Sequence, residues 1–125
     1  MVEKEIPEKA RISMDDSNIL TIKILPKADI CEKDAIEISK VAGEISQDII
    51  HCNLVDVSEM TFMDKRARAV FAEQKKDTVP AIAIISNSKI HRSLVNLYFG
   101  FSKPATPTKA FGNAESARDW LLGLL

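Results

Sequence analysis

The segment Asn53–Phe71, NLVDVSEMTFMDKRARAVF, decides how the chain folds. Leu54, Val55 and Val57 form an apolar run broken only by Asp56, the pattern of a strand buried on both faces that ends at a polar edge. Phe62 and Met63 follow as two expected buried anchors. Asp64 then stands where a helix N-cap belongs, ahead of Lys65-Arg66-Ala67-Arg68. Ala67, Val70, Phe71 and Gln74 share one face at helical spacing, the first three as its apolar stripe, and Lys65, Arg66, Arg68, Lys75 and Lys76 occupy the remainder. The segment reads as strand, polar crossing, and a helix that opens with three cations.

Cations at a helix start oppose the positive end of the macrodipole, a local cost of roughly a few tenths of a kcal/mol. Together with unpaired amide donors they also make a candidate anion or partner site. The plainer alternative is that Lys65, Arg66 and Arg68 are solvated or pair with Glu59 and Glu73, exposed pairs that contribute little. Ser58 and Thr61 lie in the crossing, where a switch role and ordinary turn or cap duty explain a hydroxyl equally well.

Working outward, Ala10–Met14 and Ile19–Leu25 flank the turn-rich Asp15-Asp16-Ser17-Asn18, a hairpin signal. Leu20, Ile22 and Ile24 alternate with Thr21 and Lys23, so one face of that strand is buried. From Glu32 to Gln47 the spacing of Ala35, Ile38, Val41, Ala42 and Ile45 predicts a helix. Val79–Ile85, VPAIAII, reads as a fully buried parallel strand with Pro80 at its entrance. A helix runs from Ser88 to about Phe99, with Gly100 as its stop. Thr108–Phe111 is a last strand, and Asn113 caps a final helix striped by Ala117, Trp120, Leu121 and Leu124. The acidic leader Val2–Glu8 is expected to be loosely ordered. The resulting order is β-β-α-β-α-β-α-β-α, a single α/β domain over residues 1–125. Three right-handed crossovers would build its mixed, mostly parallel sheet, with the first strand as an antiparallel edge.

Asp56-Val57-Ser58 followed by Phe62-Met63-Asp64 resembles the signature of the STAS family, the SpoIIAA-like anti-sigma-factor antagonists. The resemblance implies the same β/α order. In that family an acidic strand end leads into a helix that usually opens Ser-Ser-Gly. One serine is phosphorylated by a partner kinase, and the loop and helix dock on that partner. Here Lys65 and Arg66 stand in the serine positions and Ala67 in that of the glycine, so the phosphoserine switch does not carry over. What the resemblance implies is a divergent bacterial branch whose docking residues would be Ser58, Thr61, Asp64, Lys65, Arg66 and Arg68.

Ser88–Thr108, SKIHRSLVNLYFGFSKPATPT, is apolar on more than one helical face: Ile90, Leu94 and Leu97 form one stripe, Val95, Tyr98 and Phe99 another, with Phe101 just beyond. A monomer has one sheet to cover, so the spare face is expected to meet a second subunit, a partner or a ligand. Alternatively, a loop stiffened by Pro104 and Pro107 folds back over the aromatics. Gly100-Phe101, Lys103-Pro104 and Pro107-Thr108 also resemble a GF-x-KP-x-x-PT segment of small STAS-like bacterial proteins, a likeness that implies no activity.

Composition bounds the rest. The 125 residues are 46% hydrophobic and 28% charged, ordinary for a globular chain. A net charge of −1 argues against general nucleic-acid binding. No apolar run approaches the ~20 residues of a membrane span, and the charged MVEKEIPEKA start shows no signal-peptide pattern, so a cytoplasmic protein is expected. Cys31 and Cys52 lack metal-ligand spacing, and a reduced pair is the default. His51 beside Cys52 has no third ligand close in sequence. Phosphate loops and GxSxG or HExxH motifs are absent, so no cofactor, metal or enzymatic activity is expected.

Three functional readings follow. The first is a non-catalytic regulatory module that docks an unidentified protein partner through Ser58–Asp64 and the helix at Lys65. The second is a small-molecule binder. Leu94, Leu97, Tyr98, Phe99 and Phe101 would hold a hydrophobic ligand, and Lys65, Arg66 or Lys103 would meet its anionic end. The third, compatible with both, is a homodimer built on the same aromatic helix.

Overall fold

A computed structural model describes residues 2–73, 78–102 and 106–124, with the backbone alone over 98–102. Its elements in chain order are β1 (Val2–Ile6), β2 (Ala10–Met14), β3 (Ile19–Ile24), β4 (Asp29–Ile30), α1 (Glu32–Ser46), β5 (Cys52–Asp56) and β6 (Phe62–Met63). They continue with α2 (Lys65–Ala72), β7 (Ile82–Ile85), α3 (Lys89–Ser102), β8 (Thr108–Phe111) and α4 (Ala114–Leu122). Six strands form one sheet in the order β1-β2-β3-β5-β7-β8, and β4 and β6 form a separate two-stranded one. The β1-β2-β3 portion is antiparallel, and β3, β5, β7 and β8 run parallel. This is the mixed, mostly parallel α/β sheet that the chain order predicts.

Side-chain alternation assigns the two faces. Ile12, Leu20, Ile22 and Ile24 pack with Ala35 and Ile38 of α1 and Ala67 of α2 in one core. Ile19, Leu54, Ala83 and Ile85 pack with Ala117 and Leu121 of α4 in the other. Because β5 contributes Leu54 to one face and Val55 to the other, it must be apolar nearly throughout, as its sequence is. Helix α3 instead lies along the open edge. The Asn96 side chain accepts the Ala110 N–H at 2.8 Å and donates to the Ala110 carbonyl at 3.4 Å, standing in for a further strand.

Four expectations need correction. The leader is a strand: β1 pairs with β2 in register from Val2↔Met14 to Ile6↔Ala10, and Arg11 holds Glu3 and Glu5 at 3.2 and 3.0 Å. It therefore takes the edge position assigned to β2. Its mostly exposed side chains hide the strand from hydropathy, and the ladder to β2 supplies what apolar burial does not. The strand within VPAIAII spans only Ile82–Ile85, with Ile82 and Ile84 half-buried, so it is not covered fully on both faces. Gly100 does not stop α3, which continues to Ser102. Phe62, expected as a buried anchor, is exposed.

Candidate functional site

The loop between β5 and α2 is fixed from below. Asp56 Oδ1 accepts the Ser58 N–H at 2.9 Å and the Ser58 hydroxyl at 2.6 Å, a local Asx turn. Lys23 approaches both Asp56 and Glu59 at 3.4 Å. Burial acts to raise the Asp56 carboxyl, but the Ser58 hydroxyl and N–H, with Lys23, more than offset it and hold it below the usual carboxylate range. Backbone bonds tether the remainder: the Lys27 N–H donates to the Glu59 carbonyl at 3.0 Å and the Thr61 N–H to the Ala28 carbonyl at 3.0 Å. The Asn87 side chain donates to the Ser58 carbonyl at 3.2 Å.

The parallel pairing of β4 and β6 sets Asp29 against Phe62 and Ile30 against Met63. Successive residues of an extended segment point to opposite sides. Met63 accordingly turns inward, 9% exposed, and Phe62 outward, 56% exposed. Asp64 caps α2 by accepting the Ala67 N–H at 2.8 Å. Its carboxylate takes the place an outside anion would occupy at this helix start, which weighs against a simple anion site. Arg68 turns back to donate to the Met63 carbonyl at 2.7 Å, which makes it a brace. Lys65 and Arg66 are exposed and form no ion pair or side-chain hydrogen bond among the described residues. Glu59, an expected partner for these cations, belongs to Lys23 instead.

The candidate residues thus divide. Ser58, Asp64 and Arg68 hold the loop; Lys65, Arg66 and the exposed Thr61 face outward together with Phe62. Alternation within the Phe62-Met63 pair was the signal that one of them had to face solvent. On α3, Leu94 and Leu97 are exposed, as is Ile90. The side chains of Tyr98, Phe99 and Phe101, and Lys103 altogether, lie outside the described residues, so the aromatic pocket expected there does too. His91 places Nδ1 2.8 Å from the Ser86 hydroxyl. No helix among the described residues is long and apolar enough to cross a membrane.

The fold belongs to a recognised class. The chain superposes with a TM-score of 0.70 on a protein of the DUF3478 family with a SpoIIAA-like fold from Shewanella loihica, at 15% identity over 94% of this chain and 98% of that one. An anti-sigma factor antagonist from Mycobacterium paratuberculosis is similar with a TM-score of 0.58, again at 15% identity over 94% and 98% of the two chains. The fold is SpoIIAA-like, as the STAS resemblance implies. Within that class, residues 12–124 match the family model of a domain of unknown function, DUF7793, and the chain belongs to that family. Among curated proteins none matches.

Proposed function

We propose that this protein is a non-catalytic regulatory module that captures a protein partner through Phe62, Lys65 and Arg66, without a serine phospho-switch. The observation that carries this reading is the outward Phe62 on a backbone pinned by β4, near two exposed cations that form no ion pair among the described residues. An exposed aromatic next to an arginine is the composition of an interface hot spot. A pinned backbone also lowers the ordering cost of binding. The complementary partner surface is acidic, with an apolar recess for the ring. Similarity in fold to an anti-sigma factor antagonist supports a role in protein-mediated regulation, and the cytoplasm is the compartment where we place it.

Affinity capture from native extract tests the reading, comparing wild type with Lys65→Glu/Arg66→Glu and with Phe62→Ala. A protein retained by wild type and lost from both variants, each with unchanged thermal stability, supports it. The same proteins captured by folded variants would remove this surface from consideration.

The exposed Ile90, Leu94 and Leu97 on one face of α3 favour an accompanying homodimer. Light scattering on wild type and Leu94→Glu tests that reading. A monomer across a wide concentration range excludes it.

A further inference from the structure

Helix α3 carries an apolar stripe that no described element covers. Ile90, Leu94 and Leu97 follow one another at i, i+4 and i+7 and are 76%, 60% and 58% exposed. This exposure is not that of a loose helix. The Ser88 hydroxyl caps α3 by accepting the His91 N–H at 3.1 Å, and Arg92 donates to the Ser86 carbonyl at 2.7 Å. Asn96 holds both backbone groups of Ala110. These contacts fix the inner face of α3 against β8 and the end of β7, and so keep the stripe facing outward at the edge of the sheet.

Charge is sorted around this stripe. Between Asp77 and Glu115 the sequence holds no Asp or Glu, but it holds Lys89, Arg92, Lys103 and Lys109, in a chain whose net charge is −1. The stretch includes all of α3 and all of β8, the strand against which α3 packs. Lys89 precedes Ile90 in the first turn of α3, exposed and in no ion pair among the described residues. The helix dipole disfavours a cation there, so Lys89 does not serve the helix itself. Arg92 is engaged at Ser86, and Lys109 lies exposed on β8 with its ammonium 5.4 Å from the centre of the Phe111 ring. Just before α3, Asn87 bonds to the Ser58 carbonyl, but the carboxylate next to it, Glu59, is already held by Lys23. An aliphatic stripe on a segment with cations and no carboxylate is the pattern of a helix lying in the headgroup layer of an anionic membrane. The stripe alone would suit a second copy of the chain equally. The cations are what a symmetric pair leaves unused and a layer of lipid phosphates uses.

We propose that α3 docks the protein on an anionic lipid surface, with Ile90, Leu94 and Leu97 entering the headgroup layer and Lys89 meeting lipid phosphates. Three aliphatic side chains and few cations make the attachment reversible and salt-sensitive. It uses other residues than Phe62, Lys65 and Arg66, so its failure would leave the partner reading intact. With the homodimer it competes for the same side chains.

The test is sedimentation of the full chain with vesicles of equimolar phosphatidylglycerol and phosphatidylcholine, against vesicles of phosphatidylcholine alone, at millimolar lipid. At about 20 mM salt the anionic vesicles should carry down about fivefold or more of the protein that the neutral ones do, and about 500 mM salt should release most of it. Leu94→Glu and Lys89→Glu, both at exposed positions, should each lower the bound fraction severalfold with unchanged thermal stability. Lys65→Glu/Arg66→Glu should leave it unchanged. No adsorption to the anionic vesicles would overturn the proposal: a monomer left in solution would assign the stripe to a protein groove, and a dimer in light scattering would assign it to a second copy. Equal binding to both kinds of vesicle would also overturn it. So would adsorption undiminished in folded Lys89→Glu but lost in Lys65→Glu/Arg66→Glu.

Discussion

The Ser58 hydroxyl and N–H both close on a single oxygen of Asp56, at 2.6 and 2.9 Å, at the point where β5 gives way to the loop carrying Phe62. This turn sets the direction of everything up to the cap of α2, and its strength rests on Asp56 being ionised. The carboxyl is held below its ordinary range, so its stabilising effect is complete above the unfolded-state pKa and is lost as pH falls through the depressed folded value. Acid unfolding followed by circular dichroism should show wild type losing stability from about pH 4 downward. Asp56→Asn should flatten part of that slope, the remainder coming from Asp15 and Asp34, whose carboxyls are also lowered. At neutral pH it should cost about 1 kcal/mol, because a neutral acceptor keeps roughly half of each bond. An unchanged acid slope would count against the turn.

Neighbours in β6 should respond oppositely to truncation. Met63→Ala removes a buried side chain from the α1/α2 core and should destabilise by about 2–3 kcal/mol in urea unfolding. Phe62→Ala should stay within about 0.5 kcal/mol. The reverse order would mean that β6 is set the other way against β4.

The start of α2 depends on one carboxylate. Asp64→Ala removes the acceptor for the Ala67 N–H and should cost about 1 kcal/mol, while Asp64→Ser should recover most of it. Equal losses for the two variants would show that capping is not what Asp64 contributes.

Thiol labelling separates the two cysteines. Cys31, exposed at the start of α1, should react with iodoacetamide in the native protein. Cys52 is buried in the core under α4, and burial pushes its thiol up, so it should react only in denaturant. Labelling of both at similar rates under native conditions would contradict the register of β5 beside β3.

The sequence by itself determined most of the element order, the identity of β5 and the caps at Asp64 and Asn113. These rest on contacts within a few residues: apolar spacing along one helix or strand, and a side chain reaching the N–H three positions on. It also located the loop at Ser58–Asp64, whose Asx turn is equally local. Tertiary structure alone decided the rest. Val2–Ile6 becomes a strand only because Ala10–Met14 offers a ladder, and its exposed side chains leave no trace in hydropathy. Phe62 and Met63 are equally apolar, and only the pairing with Asp29–Ile30 chooses which of them faces solvent. A cavity of ≈ 220 Å³ between α1, α2 and the sheet likewise joins Ser39, Asn53 and Phe71, each read correctly as part of its own element. Their convergence depends on how two helices end over one sheet face, a relation between distant segments that no local spacing encodes.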